Sequence, residues 1–238
     1  MIIHLLSSPR NISTALMYSL AQRTDMTVMD EPFYGYYLSR FDVKHPDAQH
    51  IIRDMTCDFE EIVHQINSRH TRNTHVFIKN MAHHLIDTPL DFLHTHRTIL
   101  FIRDPRAIIT SFAKVIPNPT LQDIGVKHQV FLFNELNHLC NIPPIVLEAA
   151  DLLRNPEKML EKLCLEIGIP YQSNMLHWQK GGIPEDGIWA KHWYKNVHNS
   201  TGFLPPKEVD EVFPVHCQAL LDEAKPFYLT LKQHALTY

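Results

Sequence analysis

Glycine is scarce in this chain, with only 7 in 238 residues, so each one marks a special backbone position. The nucleoside-triphosphatase loop G-x-x-x-x-G-K-[ST] is absent, and with it the Lys and hydroxyl that hold triphosphate and magnesium. Cysteine is sparse too. Cys57, Cys140, Cys164 and Cys217 form no C-x-x-C pair, and four scattered thiols in a chain of this length read as reduced. There is no excess of basic charge: the net charge of −4 excludes a general nucleic-acid binder and a polybasic membrane protein, while leaving room for a local basic pocket. No apolar run is long enough to cross a bilayer. Ile2 to Leu6 is strand-like, and no charged-then-apolar leader precedes it, so a cytoplasmic protein with no membrane role is expected. The 17 histidines include no two that lie three or four apart, the spacing of a helical metal site, and metal binding is not expected.

What is present begins with Ser7-Ser8-Pro9-Arg10-Asn11-Ile12-Ser13-Thr14, between the apolar run Ile2 to Leu6 and an amphipathic run, Ala15 to Arg23. Strand, polar loop, helix places backbone N–H groups at a helix N-terminus, an anion site. Arg10 adds planar donors suited to phosphate or sulfate, and Ser13 and Thr14 add hydroxyls where a helix wants caps. The same residues read equally as an ordinary turn with an N-cap.

Further apolar runs follow: Thr27 to Met29, Val76 to Ile78, Thr98 to Ile102 and Ile145 to Leu147. Each ends on polar residues: Asp30-Glu31-Pro32, Lys79-Asn80 and Arg103-Asp104-Pro105-Arg106 close the first three. Between the strands lie helical stretches, Cys57 to Arg69 among them, and a helix capped by Asp104 with Pro105 at its first turn. Asp87 to His94 reads as a short helix, Leu121 to Leu139 as one long helix, and Asn155 to Gly168 as a capped one; Lys44 to Asp54 reads as loop. This alternation predicts an α/β fold of three layers, P-loop-type, with a central parallel sheet of four to five strands flanked by helices. With no repeat, low-complexity tract or flexible linker, residues 1–238 read as one domain. Gln172 to Pro206 holds all three Trp and four of the seven Gly with little periodicity, and is expected to be an ordered loop over the ligand edge. Lys207 to Leu231 is expected to close the chain as helix.

Three stretches together resemble the sulfotransferases that use 3′-phosphoadenosine-5′-phosphosulfate (PAPS). Their first loop reads P-[KR]-S-G-[ST]-T, here Pro9-Arg10-Asn11-Ile12-Ser13-Thr14. Their second signature is an Arg after a later strand with a Ser eight residues on, here Arg103 and Ser111. Their third is a late R-K-G-x-x-G-x-W-type loop, here Gln179-Lys180-Gly181-Gly182 followed by Asp186-Gly187-Ile188-Trp189. The resemblance implies PAPS as donor and PAP as product. It implies that Arg10, Asn11, Ile12, Ser13 and Thr14 grip the 5′-phosphosulfate, and that Arg103, Ser111, Lys180 and Gly181 hold the 3′-phosphate end.

Two departures stand out: Ile12 replaces the loop glycine, and Met81 occupies the position of the catalytic His of the cytosolic members. Other branches use a Glu just after the second strand, so Glu31 is the first choice of base, with His84 or His83 second. Lys79 matches the strand Lys and would assist Arg10 in stabilising the leaving oxygen. The implied reaction moves a sulfuryl group to a hydroxyl or amine of a small-molecule acceptor. The aromatic run Phe33 to Tyr37 and the Trp-rich loop suggest that the acceptor is aromatic or apolar. The alternatives are a small-molecule kinase on a related fold, or a nucleotide-binding relative without chemistry.

Overall fold

The computed structural model describes residues 1–43, 45–71, 74–205 and 212–237. Five strands form one wholly parallel sheet: β1 Ile2–Ser7, β2 Met26–Asp30, β3 His75–Met81, β4 Arg97–Ile102 and β5 Ile145–Glu148. They stand in the order β2-β3-β1-β4-β5. Among the described residues the helices are α1 Ser13–Ala21, α2 Tyr34–Arg40, α3 Ala48–Asp54, α4 Phe59–Arg69, α5 Pro105–Phe112, α6 Leu121–Ile124, α7 Val126–Leu139, α8 Ala149–Arg154, α9 Pro156–Ile167, α10 Ala190–Trp193, α11 Lys195–His198 and α12 Gln218–Lys232.

The strands are apolar on both faces because helices cover both. Ile3, Leu5, Phe77, Ile99 and Phe101 point to a core completed by α1, α9 and Trp178 and Trp189. Their neighbours Ile2, Leu6, Val76, Ile78, Leu100 and Ile102 point to the opposite core, under α4, α7 and α12. That is the period-two alternation of a strand.

The order of the strands positions the ligand edge. The chain leaves β1 towards β2 on one side of the sheet, and leaves β4 towards β5 on the other. The crevice between the C-terminal ends of β1 and β4 is therefore the switch point where open parallel sheets bind ligands. The two strands are paired as far as Ser7 and Phe101. The carbonyls exposed where they part are covered by Gln129 of α7, which donates its side-chain amide to Leu6 O (3.1 Å) and Phe101 O (2.9 Å).

Three expected elements differ. The segment read as loop from Lys44 to Asp54 contains helix α3, formed with one buried apolar residue, Ile51, too few to show a period; Lys44 itself lies outside the described residues. The long helix expected from Leu121 to Leu139 is broken at Gly125, whose φ of 70° ends α6 and turns the chain into α7. Asp87 to His94 forms only a 3₁₀ turn, Asp91–Leu93. The far end of the irregular segment, 206, and the first five residues of the expected last helix, 207–211, lie outside the described residues; α12 begins at Gln218.

Gly125→Ala should lower stability by about 1 kcal/mol, the cost of a left-handed backbone for an alanine less the gain from a stiffer unfolded chain. A Cβ there would meet His83 Nδ1 at 3.4 Å, an ordinary contact, so conformation and not crowding sets the loss. An unchanged urea midpoint would show that the break is held by other contacts.

Candidate active site

The loop from Ser8 to Ile12 leaves β1 at the crevice. Its shape is set without glycine: Arg10 (φ 56°) and Ile12 (φ 49°) both adopt the left-handed region. For a β-branched residue this costs roughly 1–2 kcal/mol. Ile12 thus takes the conformation that suits the glycine of the family pattern, held there by its partly buried side chain against the core and by Asn11, whose buried amide donates to Phe101 O. Ile12 is the N-cap of α1, with no side-chain cap. The expectation that Ser13 and Thr14 cap the helix is corrected: Ser13 is its first residue, Thr14 its second, and the first-turn N–H groups are left to face a ligand.

Arg10 links the first two signature stretches. Its Nε donates to Ser111 Oγ at 3.0 Å, its guanidinium lies 6.0 Å from the Trp193 ring centroid, and its carbonyl accepts from Arg103 Nη1. Burial lowers the Arg10 pKa, and no ion pair among the described residues neutralises it. A half-buried, uncompensated guanidinium beside an uncapped helix N-terminus calls for an anion.

A second cluster sits at the ends of β2 and β3. Lys79 is 1% exposed. Its ammonium donates to Asp30 Oδ1 (2.9 Å), to Glu31 Oε1 and to Tyr194 Oη (2.6 Å), which uses all three of its donors. Asp30 also accepts from the Gly187 N–H (3.1 Å) and the Tyr194 hydroxyl (2.8 Å). Glu31 leaves the strand in a left-handed conformation, φ 48°, and turns its other oxygen to within 3.9 Å of His84 Nε2. One ammonium faces two carboxylates here. Burial, opposed by Lys79 and reinforced by Asp30, pushes the Glu31 pKa up. Burial works against the Lys79 charge, but Asp30 and Glu31 outweigh it and raise its pKa.

His84 is stacked on Tyr34, centroids 4.8 Å apart, and burial drives its pKa well below 6.5. Burial takes His83 down to about 3. Both imidazoles are therefore neutral.

One cleft of about 980 Å³ takes in both clusters, near the top of the range of roughly 300–1,000 Å³ for ligand pockets. Arg10 through Thr14, Glu31, Lys79, His83, His84, Arg103 and Ser111 all line it. Lys180 and Gly181 do not. They lie on an arm where Gly181 N–H bonds His198 O and His177 bridges Gly202. Asn196 and Asn199, farther along the segment, do line the cleft. The irregular segment is docked on α1 through Asp186, which accepts from the Tyr18 hydroxyl at 2.6 Å. Sequence reasoning missed Tyr194, whose only signal was the aromatic richness of its segment, and Gln129, a polar residue on the buried stripe of α7 with Val126, Leu132 and Leu136. Among the described residues no group of three or more His, Cys, Asp or Glu could hold a metal ion, and no helix is long and apolar enough to cross a membrane.

A family model described as a sulfotransferase domain matches residues 1–235. Two curated proteins of Arabidopsis thaliana, branched-chain-amino-acid aminotransferase-like proteins 2 and 1, are 36% and 37% identical to the chain over 234 residues. The match covers 98% of this chain and 42% of each of theirs, so the chain spans about two fifths of their length. Among solved structures, the sulfotransferase domain of the Synechococcus PCC 7002 olefin synthase is similar in fold, with a TM-score of 0.55, 17% identity and 93% of both chains covered. A sulfotransferase from Alicyclobacillus acidocaldarius has the same TM-score at 10% identity, covering 98% of this chain and 96% of its own.

The raised Glu31 pKa has a consequence for stability. Folding favours the protonated form, so this group's contribution is full below its unfolded value near 4.5 and is lost as pH rises through the folded value. Glu31→Gln, which is neutral throughout, should melt with the parent near pH 4.5 and increasingly above it towards neutral pH. Melting temperatures that coincide across the range would show that Glu31 carries no burial penalty.

Proposed function

The chain belongs to the sulfotransferase domain family, and on that premise we propose that it transfers a sulfuryl group from PAPS to a hydroxyl of a small, aromatic or apolar acceptor. The observation that carries this reading is the Arg10–Ser111 bond, which sets the first-loop cation and the second phosphate-binding stretch side by side in one crevice. A donor with two anionic ends fits two adjoining cationic sites. Arg10 and the N–H groups from Asn11 to Thr14 hold the 5′-phosphosulfate, and Arg103 and Ser111 hold the 3′-phosphate. Asn196 and Asn199 take the nucleotide contacts expected of Lys180 and Gly181.

In the reaction the acceptor oxygen attacks sulfur as the bond from sulfur to the phosphate oxygen of PAPS breaks, leaving PAP. Arg10 stabilises the charge that grows on that leaving oxygen. The acceptor's proton goes to Glu31. Burial raises its pKa and strengthens it as a base, whereas burial lowers those of His83 and His84 and weakens them. Lys79, with its donors engaged, serves to hold Glu31 and not the leaving group. Tyr34, Trp189 and the neutral imidazoles of His83 and His84 form an uncharged wall beside the base, suited to a planar apolar alcohol. The four cysteines are free thiols, as a reducing compartment keeps them, and the same proposal places the chain in the cytoplasm.

PAP should raise the melting temperature, since a ligand that binds only the folded state stabilises it. Arg103→Ala should weaken PAP by about 1.5–3 kcal/mol and adenosine-5′-phosphosulfate, which has no 3′-phosphate, far less. No thermal shift at millimolar PAP would sink the donor assignment, and equal weakening of both ligands would remove Arg103 from the 3′ site. Glu31→Gln should leave PAP affinity unchanged and cut turnover by roughly 10²–10⁴-fold, followed as PAP release from PAPS with a panel of phenols and alicyclic alcohols. Full activity in that variant would mean that another group takes the proton.

A further inference from the structure

Asp30 and Glu31 are adjacent, both buried, and share one ammonium, yet only Glu31 turns an oxygen towards His84 and the acceptor wall. The Tyr194 hydroxyl, between α10 and α11, separates them. It accepts from Lys79 Nζ at 2.6 Å and from the Trp189 indole N–H at 3.0 Å. Both lone pairs are thereby used, and its single proton is left for one acceptor. Burial, with Asp30 and Glu31 beside it, raises the Tyr194 pKa well above 10, so that proton stays in place. The nearer acceptor is Asp30, with both carboxylate oxygens at 2.8 Å; Glu31 Oε1 is at 3.3 Å.

We infer that Tyr194 is a positioning residue for the base: by supplying Asp30 with a proton donor it leaves Lys79's share of hydrogen bonding to Glu31, and so keeps Glu31 ionised and aimed at the acceptor. This rests on the reading of Glu31 as the base. The indole of Trp189 sets the direction of the hydroxyl, and the Gly187 N–H supplies Asp30 with a further donor from the same segment. The docked segment 187–194 therefore does more than close the cleft, because it supplies the donors that Asp30 would otherwise draw from Lys79. The charged or titratable groups facing Glu31 are Asp30 on β2, Lys79 on β3, His84 on the 3₁₀ turn after β3, Tyr34 on α2 and Tyr194. Of these, Tyr194 is the only one from the overlying segment.

The test follows the Glu31 side chain directly by ¹³C NMR in PAP-saturated protein, with Glu31→Gln to assign its signal, so no acceptor is needed. In Tyr194→Phe, Asp30 loses its hydroxyl donor and takes up the Lys79 donor that the Tyr194 oxygen releases, while Glu31 loses its 3.3 Å contact with the hydroxyl. The Glu31 titration midpoint should rise by roughly one pH unit, while PAP affinity stays within about twofold. With 3-fluorotyrosine in place of Tyr194 the hydroxyl is a stronger donor and the midpoint should fall. That substitution keeps size and bonding, so it decides the matter if the phenylalanine variant does not fold. A midpoint that stays put, or moves the opposite way, overturns the role of Tyr194. A midpoint that moves as expected, alongside a fully active Glu31→Gln, overturns the base reading and with it the catalytic sense of the positioning. An unmoved midpoint with an inactive Glu31→Gln removes Tyr194 alone.

Discussion

One buried ammonium holds this site together. Lys79 ties the end of β3 to the end of β2 through Asp30 and Glu31, and ties both to the overlying segment through Tyr194. Burying a lone charge costs several kcal/mol, and removing one partner of a buried pair costs about 3–5 kcal/mol. The ammonium therefore needs a carboxylate partner, but two carboxylates are one more than it can neutralise, and burial together with that surplus pushes the Glu31 pKa up. Because the members come from three parts of the chain, the hydrogen bonds of the neutral Tyr194 hydroxyl to Lys79 and Asp30 also tie down the Trp-rich segment. The bonds that hold Glu31 at the end of β2 and the segment over the cleft thus share one ammonium.

The loop after β1 is held in a different way. Of the five non-glycine residues at positive φ among the described residues, three line the cleft: Arg10, Ile12 and Glu31. Strained backbone persists where surrounding contacts over-determine it, and here those contacts are visible. Asn11 anchors the loop to the carbonyl of Phe101, and Ile12 lays its side chain on the core. A glycine would take the turn freely and also leave it freely. Isoleucine takes it at a cost and is then pinned, which suits a loop whose N–H groups must already point at an anion before the anion arrives.

The sheet was legible in the sequence because fully buried strands write themselves as apolar runs. All five runs named from the residues became strands, and of the residues that ended them Glu31, Lys79, Arg103, Asp104 and Arg106 line the cleft. The helix boundaries were less legible. Gly125 sits inside a continuous helical pattern, and only its φ reveals that it breaks the helix. α3 buries a single apolar residue and so left no period to read. In the site, Arg10 and Glu31 stood out at strand ends, where a ligand site and an ordinary turn read alike, and Arg103 and Ser111 stood out through the resemblance to the sulfotransferases. Tyr194 lay in an aperiodic stretch, and its partners on β2 and β3 are 115 to 164 residues away. No local pattern encodes such a contact. Gln129 was findable, as a polar side chain where the stripe of α7 called for an apolar one.

The position of β1 at the centre of the sheet bears on the order in which the chain is made. Its partners begin at His75 and Arg97, so its most apolar residues wait unpaired while nearly all of the intervening chain is synthesised. At about 5–20 residues per second that wait is roughly 5–20 s. Parallel pairing over such separations is slow even once the partners exist. Through that interval Ile2 to Leu6 is an exposed β-prone segment with free edges on both sides. The length of that interval is a property of the topology, set by placing the earliest of the five strands in the middle of the sheet.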